Sequence, residues 1–286
     1  MAEPLFSVIL PTHNRPHLLP QAIESVLAQT VDDFQLVIVD DGSDPPATVP
    51  TDSRIQHARL DQPRGPARAR NRGLELAVGR YVCFLDDDDL FTPPRLEIAE
   101  RGLRTSPLTV CYATFLGRPV RDNRRLDGHV GDTILEGPTP SLGRTAVRRD
   151  LAPRFDERWA AVEDLDWWRR AAERLPVSTI PEVGYLVRLH SGPRGANRLE
   201  TRIRENVEYI AEHADYFATH PRSEAYRRMR VGLMEEGRND LAAARRALAR
   251  SVRLHPRSRS VWHLARTCMP GPANRGLGRL RKTLGQ

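Results

Sequence analysis

Apolar residues in this chain follow two rhythms, and the change from one to the other divides it. Residues 6–10 (Phe-Ser-Val-Ile-Leu) form a short apolar run ended by Pro11. A short run rich in β-branched residues and stopped by proline predicts a buried strand of a parallel sheet. Residues 16–29 then set Leu19, Ile23, Val26 and Leu27 at helical spacing, with Pro16 and Pro20 near the start, where proline is tolerated. The alternation continues with strands over 34–39 and 55–60, a helix over 66–78 closed by Gly79, a strand over 81–85 and a helix over 93–104. A strand over 109–115, a polar loop or hairpin over 118–137, an amphipathic helix over 163–173 and a strand over 177–189 follow.

Strands alternating with helices predict an α/β fold: a Rossmann-like, mostly parallel sheet with helices on both faces. Such sheets bind ligands outside the carboxyl ends of their strands. Three polar signatures fall at those ends: Pro11-Thr12-His13-Asn14-Arg15, Asp40-Asp41-Gly42-Ser43 and Asp86-Asp87-Asp88-Asp89. One crevice lined by all three is therefore expected.

After Leu199 the pattern is helical only. Residues 223–237 and 240–253 read as an antiparallel pair, with Asp240 as N-cap of the second helix and Pro256 ending the unit. The pair resembles a single tetratricopeptide-type unit, which cannot bury its apolar face alone and is expected to dock on the preceding sheet domain or on a second subunit. The expected division is a sheet domain over 1–198 and an all-helical C-terminal region over 199–286, which offers a homodimer interface or a cover for the substrate. The final Gly-, Arg- and Pro-rich stretch is expected to fray.

Composition adds limits. Hydrophobic residues at 40% supply a globular core across 286 residues. The formal charge of +7 is uneven: residues 201–286 carry +10 and the remainder −3. Lys282 is the only lysine, so the arginine bias reads as a genome-wide codon habit and a solvated face, and no nucleic-acid partner is expected. Cys83, Cys111 and Cys268 follow no metal spacing, and the first two lie in apolar runs as buried thiols. No signal-peptide pattern begins the chain, and no stretch reaches the ~18–20 apolar residues of a membrane span, so a cytoplasmic protein, at most peripheral to the inner membrane face, is expected.

The four aspartates carry the sharpest chemistry. Alternate side chains of an extended segment share a face, so Asp86 and Asp88 can point together. Two close carboxylates repel unless a cation lies between them, and Mn²⁺ or Mg²⁺ with a diphosphate is the natural partner. The plainer reading is an acidic loop or a helix cap, which the buried run before it and Leu90-Phe91 after it disfavour. Asp-Asp-Gly-Ser is ordinary turn chemistry, yet at a strand end its carboxylate can accept from a base N–H or ribose hydroxyls. Asp164, at a helix start, suits either capping or a general base, with Glu163 and Asp166 as local competitors.

Ser-Val-Ile-Leu-Pro-Thr-His-Asn-Arg, Val-Ile-Val-Asp-Asp-Gly-Ser, Ala-Arg-Asn-Arg-Gly and Tyr-Val-Cys-Phe-Leu-Asp-Asp-Asp-Asp, in that order, resemble the family 2 glycosyltransferases of GT-A fold. Val162-Glu163-Asp164-Leu165-Asp166 resembles the family's Glu-Asp segment, and the likeness covers about two-thirds of the chain. The resemblance implies that Pro11, Thr12, His13, Asn14 and Arg15 hold the nucleotide with Asp41, which reads a uracil ring. It implies that Gly65, Arg70 and Asn71 shape the donor pocket and that Asp86 and Asp87 contact ribose and sugar. Asp88 becomes the metal ligand, His190 a group near metal and diphosphate, and Asp164 the base. His13 replaces a frequent tyrosine, and Asp87 makes the acidic motif four carboxylates long.

The implied activity is metal-dependent, inverting transfer from a nucleotide-diphosphate sugar, UDP favoured, to a glycan, lipid-linked glycan, natural product or peptide hydroxyl. Two alternatives stand beside it. One is a non-catalytic adaptor, suggested by the helix pair. The other is a sugar nucleotidyltransferase, disfavoured because no lysine precedes Lys282 to serve a phosphate loop.

Overall fold

The computed structural model describes residues 3–117, 124–188 and 196–268. The chain forms two compact units: Met1–Gly131 with Thr139–Pro193, and Asp132–Pro138 with Arg194–Gln286.

The first unit is an α/β unit built on one mixed sheet. Strand β1 (Phe6–Thr12) is buried along its whole length and runs parallel to β2 (Phe34–Asp40) on one side and β4 (Tyr81–Phe84) on the other. Beyond β2 lies β3 (Ile55–Arg59), also parallel. With β5 (Leu90–Phe91), β6 (Leu108–Phe115), β7 (Thr145–Arg148) and β8 (Val177–Val187), the order is β3-β2-β1-β4-β7-β6-β8-β5.

Two strands depart from the sequence-based expectation: β5, which pairs antiparallel with β8, and β7. The four residues of β7 pair antiparallel with both β4 and β6, so β6 and β8 still point the same way as β1 and β4. Four residues with only Ala146 and Val147 as apolar side chains present no period to read. Pairing with β4 and β6, not local propensity, places this strand.

Helices α1 (Leu19–Leu27), α2 (Pro66–Leu76), α3 (Arg95–Leu103) and α4 (Glu163–Arg174) belong to this unit. Ala22, Ile23 and Val26 of α1 and Leu96, Ile98 and Ala99 of α3 close the main core with Phe6, Val8, Leu10 and Leu36. Helix α2 packs so closely on β1 that a Cβ at Gly73 would lie 2.3 Å from Ile9 Cγ2, which makes that glycine a steric requirement. Trp167 of α4 stacks on Phe155 with centroids 6.1 Å apart, and both meet Phe84 of β4 edge-on. This aromatic group fixes the start of α4 against the tip of β4.

The second unit holds α5 (Ala196–Glu212), α6 (Ala214–Thr219), α7 (Pro221–Gly237), α8 (Leu241–Leu254) and α9 (Ser258–Thr267). Asn239, at φ 66°, turns the chain between α7 and α8, and Asp240 accepts from the Ala243 N–H at 2.9 Å. Tyr226, Met229 and Leu248 form the core of the pair. Helices α5, α6 and α9 and residues 132–138 pack on the pair within this unit. Arg227 donates to the Gly137 carbonyl at 2.7 Å and Arg257 to that of Glu136 at 2.8 Å.

Among the described residues no helix is long and apolar enough to cross a membrane. Cys83 and Cys111 are buried and free, and Cys268 is exposed. The expected fraying of the final stretch lies outside the described residues.

Candidate active site

Strands β1, β2 and β4 are parallel, so their carboxyl ends deliver the three polar signatures to one edge. Hydrogen bonds join them there. Thr12 donates its hydroxyl to Asp87 Oδ2 at 2.8 Å, and the His13 N–H reaches the same oxygen at 3.3 Å. Nδ1 of His13 lies 2.7 Å from the Asp41 carbonyl, which can only accept, so the ring hydrogen sits on Nδ1. Nε2 is then free to accept from the Asn14 amide at 3.1 Å. The Asn14 backbone N–H donates to Ser43 Oγ at 3.0 Å, while Asn14 Oδ1 accepts from the Asp44 N–H at 2.8 Å. Asn14 holds φ 53°, a left-handed conformation that asparagine tolerates better than most residues.

The two aspartates ending β2 have different work. Asp40 Oδ1 accepts from the Ser43 N–H, and Oδ2 from Ala47 N–H and Arg59. Burial pushes its carboxyl up, but these hydrogen bonds outweigh burial and leave it below the ordinary carboxylate value. Asp40 therefore locks the turn. Asp41 accepts from the backbone N–H groups of Arg64 at 2.7 Å and Gly65 at 2.8 Å, which fix its carboxylate at the start of α2. Gly42 makes this turn possible: it sits at φ 67°, and a Cβ there would stand 2.6 Å from the Pro63 nitrogen. Pro11 is buried at the end of β1, opposite Val39 in the ladder.

Helix α2 supplies Arg70, buried at 6% exposure. Its guanidinium donates to Asp86 Oδ1 at 2.7 Å and to Glu163 Oε1 at 3.1 Å, and lies over the Phe155 ring. Both carboxylates hold Arg70 protonated against the cost of its burial. Glu163 is pushed up by burial and by the charge of neighbouring Asp164. Asn71 faces elsewhere: its amide donates to the Phe155 carbonyl at 2.9 Å and to Glu157, and its oxygen accepts from the Phe155 N–H at 2.8 Å. Its polar atoms are spent on holding residues 155–157, which in turn carry the ring that Arg70 covers.

Within the acidic motif the four carboxylates diverge. Asp86 faces Arg70, Asp87 faces Thr12, and Asp88 lies 3.7 Å from the Arg15 guanidinium. Asp89 turns inward, accepting from the Tyr185 hydroxyl and from the Arg188 N–H at 2.7 Å, and so ties the motif to β8. Burial, followed by the charges of Asp88 and Asp86, pushes Asp87 up to about 6.

That crowding is the observation on which a divalent cation can be judged. Like charges at the tip of β4 raise the cost of ionisation, and a cation there relieves it. Among the described residues no group of three or more His, Cys, Asp or Glu side chains forms a protein cage. Mg²⁺ and Mn²⁺ do not need one, since one or two carboxylates with substrate phosphates and water suffice. Asp88 and Asp86, hard oxygen donors with partial exposure, fit such an ion. His190 lies outside the described residues.

Of the three acids at the start of α4, two are committed. Glu163 pairs with Arg70, and Asp166 is buried and paired with Arg169 and Arg170. Asp164 is half-buried, and its Oδ1 accepts from its neighbour Leu165 N–H at 2.7 Å. The pairing of Glu163 with Arg70 escaped sequence reasoning; its only trace was the position of Glu163 beside Asp164.

Comparison with known proteins agrees with this architecture. A family model described as glycosyl transferase family 2 matches residues 7–149, half of the chain. An uncharacterized glycosyltransferase of Rickettsia felis is 44% identical over 114 residues, covering 38% of this chain and 19% of that protein. The UDP-Glc:alpha-D-GlcNAc-diphosphoundecaprenol beta-1,3-glucosyltransferase of Escherichia coli is 32% identical over 119 residues, covering 40% of this chain and 47% of that protein. The matched stretch thus spans about a fifth of the first relative and less than half of the second.

Among solved structures, Staphylococcus aureus TarS 1–349 in complex with UDP-GlcNAc superposes with a TM-score of 0.62 at 19% identity, covering 92% of this chain and 90% of that one. A mannosyltransferase of Pyrobaculum calidifontis in complex with GDP-Man and Mn²⁺ gives 0.58 at 20% identity, covering 92% and 79%. The fold is that of the GT-A glycosyltransferases. On its ordered motifs, its parallel strand ends and the family match, this chain belongs to the family 2 glycosyltransferases.

Proposed function

We propose that this chain moves a glycosyl group from a UDP-sugar onto an acceptor hydroxyl in one displacement that inverts the anomeric carbon. The observation that carries the reading is the Arg70 bridge, which holds Asp86 of the donor-side motif and the start of α4 in one charged cluster. A donor pocket and a base must meet at one reacting carbon, and the bridge ties Asp86 to Glu163, the neighbour of the proposed base Asp164.

In this reading Asp41, oriented by two backbone N–H donors, accepts from the base of the nucleotide. Pro11, Thr12, His13, Asn14 and Arg15 form the wall beside it, while Gly65 and Arg70 shape the pocket and Asn71 supports it from behind. Asp86 and Asp87 face ribose and sugar. Asp164 takes the acceptor proton as the acceptor oxygen attacks the anomeric carbon and the bond to the diphosphate breaks, its electron pair leaving with the phosphate oxygen. Asp88 with Asp86 would hold Mn²⁺ or Mg²⁺, which when bound would supply Lewis-acid charge to the leaving diphosphate. Arg15, beside Asp88, adds positive charge to the same side.

A UDP donor is supported by the UDP-GlcNAc and UDP complexes of TarS and by the UDP-Glc named for the Escherichia coli relative. That relative's name also makes a lipid-linked glycan the first acceptor to try. The test is calorimetric titration of nucleotide-sugars with and without Mn²⁺, followed by turnover with the donor that binds. Binding of a UDP-sugar, with release of UDP on addition of acceptor, is expected. Absence of binding by every nucleotide-sugar in the presence of Mn²⁺ would remove the proposal.

A further inference from the structure

The arginines of the second unit are distributed with a bias that the reaction does not use. Between Leu241 and Cys268 the chain holds seven arginines and no aspartate or glutamate. Helix α8 buries Ala244, Leu248 and Ser251, the last donating its hydroxyl to the Ala225 carbonyl of α7 at 2.7 Å. Arg246, Arg250 and Arg253 lie at i, i+4 and i+7 on the other side, and all three are exposed. Arg250 is drawn to Glu224 at 3.3 Å, whereas Arg246 and Arg253 pair with no carboxylate among the described residues.

Helix α9 repeats the arrangement with apolar side chains in the middle. Ser260, His263 and Thr267 are buried, so Arg259, Val261, Trp262 and Ala265 face outward. Val261 is 45% exposed and Trp262 37%. Arg259 stands one turn before Trp262; Arg266, one turn after it, is paired with Glu236 at 2.7 Å and lies with its guanidinium 5.3 Å from the indole centroid. The other three tryptophans, Trp159, Trp167 and Trp168, are buried.

We propose that the outward side chains of α8 and α9 dock on an anionic phospholipid surface. Arginine matches headgroup phosphates with two parallel N–H donors, and each cation near an anionic leaflet adds to the attraction. Tryptophan with an aliphatic neighbour is the pair that enters the headgroup boundary, where the ring is apolar and its N–H stays wet. A polyanion such as RNA would also meet the arginines, but would leave Val261 in water, whereas a lipid surface covers Val261 and Trp262 together. The surface requires nothing of the transfer reaction, so it stands or falls separately from it.

The test uses the full chain and vesicles of phosphatidylcholine alone, or of phosphatidylcholine mixed with phosphatidylglycerol. Sedimentation with the mixed vesicles only, reversed by high salt, is the expected result. Trp262, as the one exposed indole, reports the contact: its emission should shift to the blue and be quenched by brominated phosphatidylglycerol. The triple variant R246Q/R253Q/R259Q changes exposed side chains only. It should melt as the parent does, yet partition roughly 100-fold more weakly, each lost cation being worth roughly fivefold at such a surface. W262F should abolish the emission change and keep the fold. Equal binding to both vesicle types, undiminished binding by the triple variant, or binding to polyuridylate without binding to vesicles would each overturn the proposal.

Discussion

Arg70 and Asp86 meet at 2.7 Å, with the arginine inside the protein and the carboxylate at the mouth of the site. The second terminal nitrogen of the same guanidinium holds Glu163 at 3.1 Å. Helix α2, the tip of β4 and the start of α4 are thus tied through one side chain, a role that charge complementarity can play only if all three groups arrive together.

Removing the bridge leaves Glu163 buried without its cation and Asp86 unpaired at the mouth of the site. Arg70→Ala is expected to lower the unfolding free energy by about 3–5 kcal/mol, the range for breaking a buried pair on one side. Arg70→Lys keeps the charge but cannot span both partners, and should fall between parent and alanine variant. Urea denaturation monitored by tryptophan fluorescence measures both. An alanine variant within ~1 kcal/mol of the parent would show that the bridge is a surface pair of little consequence.

Asp164→Asn should keep donor affinity and lose transfer by a factor on the order of 10²–10⁴, the usual contribution of a positioned base. Glu163→Gln and Asp166→Asn, whose parents are held in ion pairs, should affect stability first. Donor titration beside single-turnover transfer separates these outcomes. Should Asp164→Asn transfer normally while Asp166→Asn does not, the assignment of the base moves down the helix.

Chelation tests the cation. Exhaustive treatment with EDTA should abolish transfer, with Mn²⁺ or Mg²⁺ restoring it, and UDP should raise the melting temperature only when the ion is present. Asp88→Ala should lose this metal-dependent part of the UDP stabilisation. A UDP shift of equal size with and without ion, in both proteins, would argue against a cation at Asp88.

Asn71 makes three hydrogen bonds to residues 155 and 157, so its loss leaves buried backbone groups of Phe155 unpaired. Asn71→Ala should destabilise by about 1–3 kcal/mol per group left unsatisfied, and should weaken donor binding less than Asp41→Ala does. Calorimetric titration and thermal melting of the two variants make the comparison. Donor affinity lost more heavily in Asn71→Ala would mean that the side chain touches the nucleotide.

Much of this protein is legible along the chain. Short apolar runs at 6–10, 34–39 and 81–85 each end in a polar signature, and parallel strands must put those ends on one edge. The helix pair with its Asp240 cap was legible for the same reason: spacing and capping are local. Strand β7 was not, because four residues receive their conformation from the neighbours they pair with. The division of labour among acids was not either. Asp40 and Asp41 are adjacent and chemically identical, yet one closes a turn and the other faces the start of α2. Asp89 leaves the acidic motif for Tyr185, and Glu163 finds Arg70 across a long separation in sequence. Period and propensity act over a few residues, whereas the partner of a carboxylate is chosen by whichever donor the packed core carries to within about 3 Å of it.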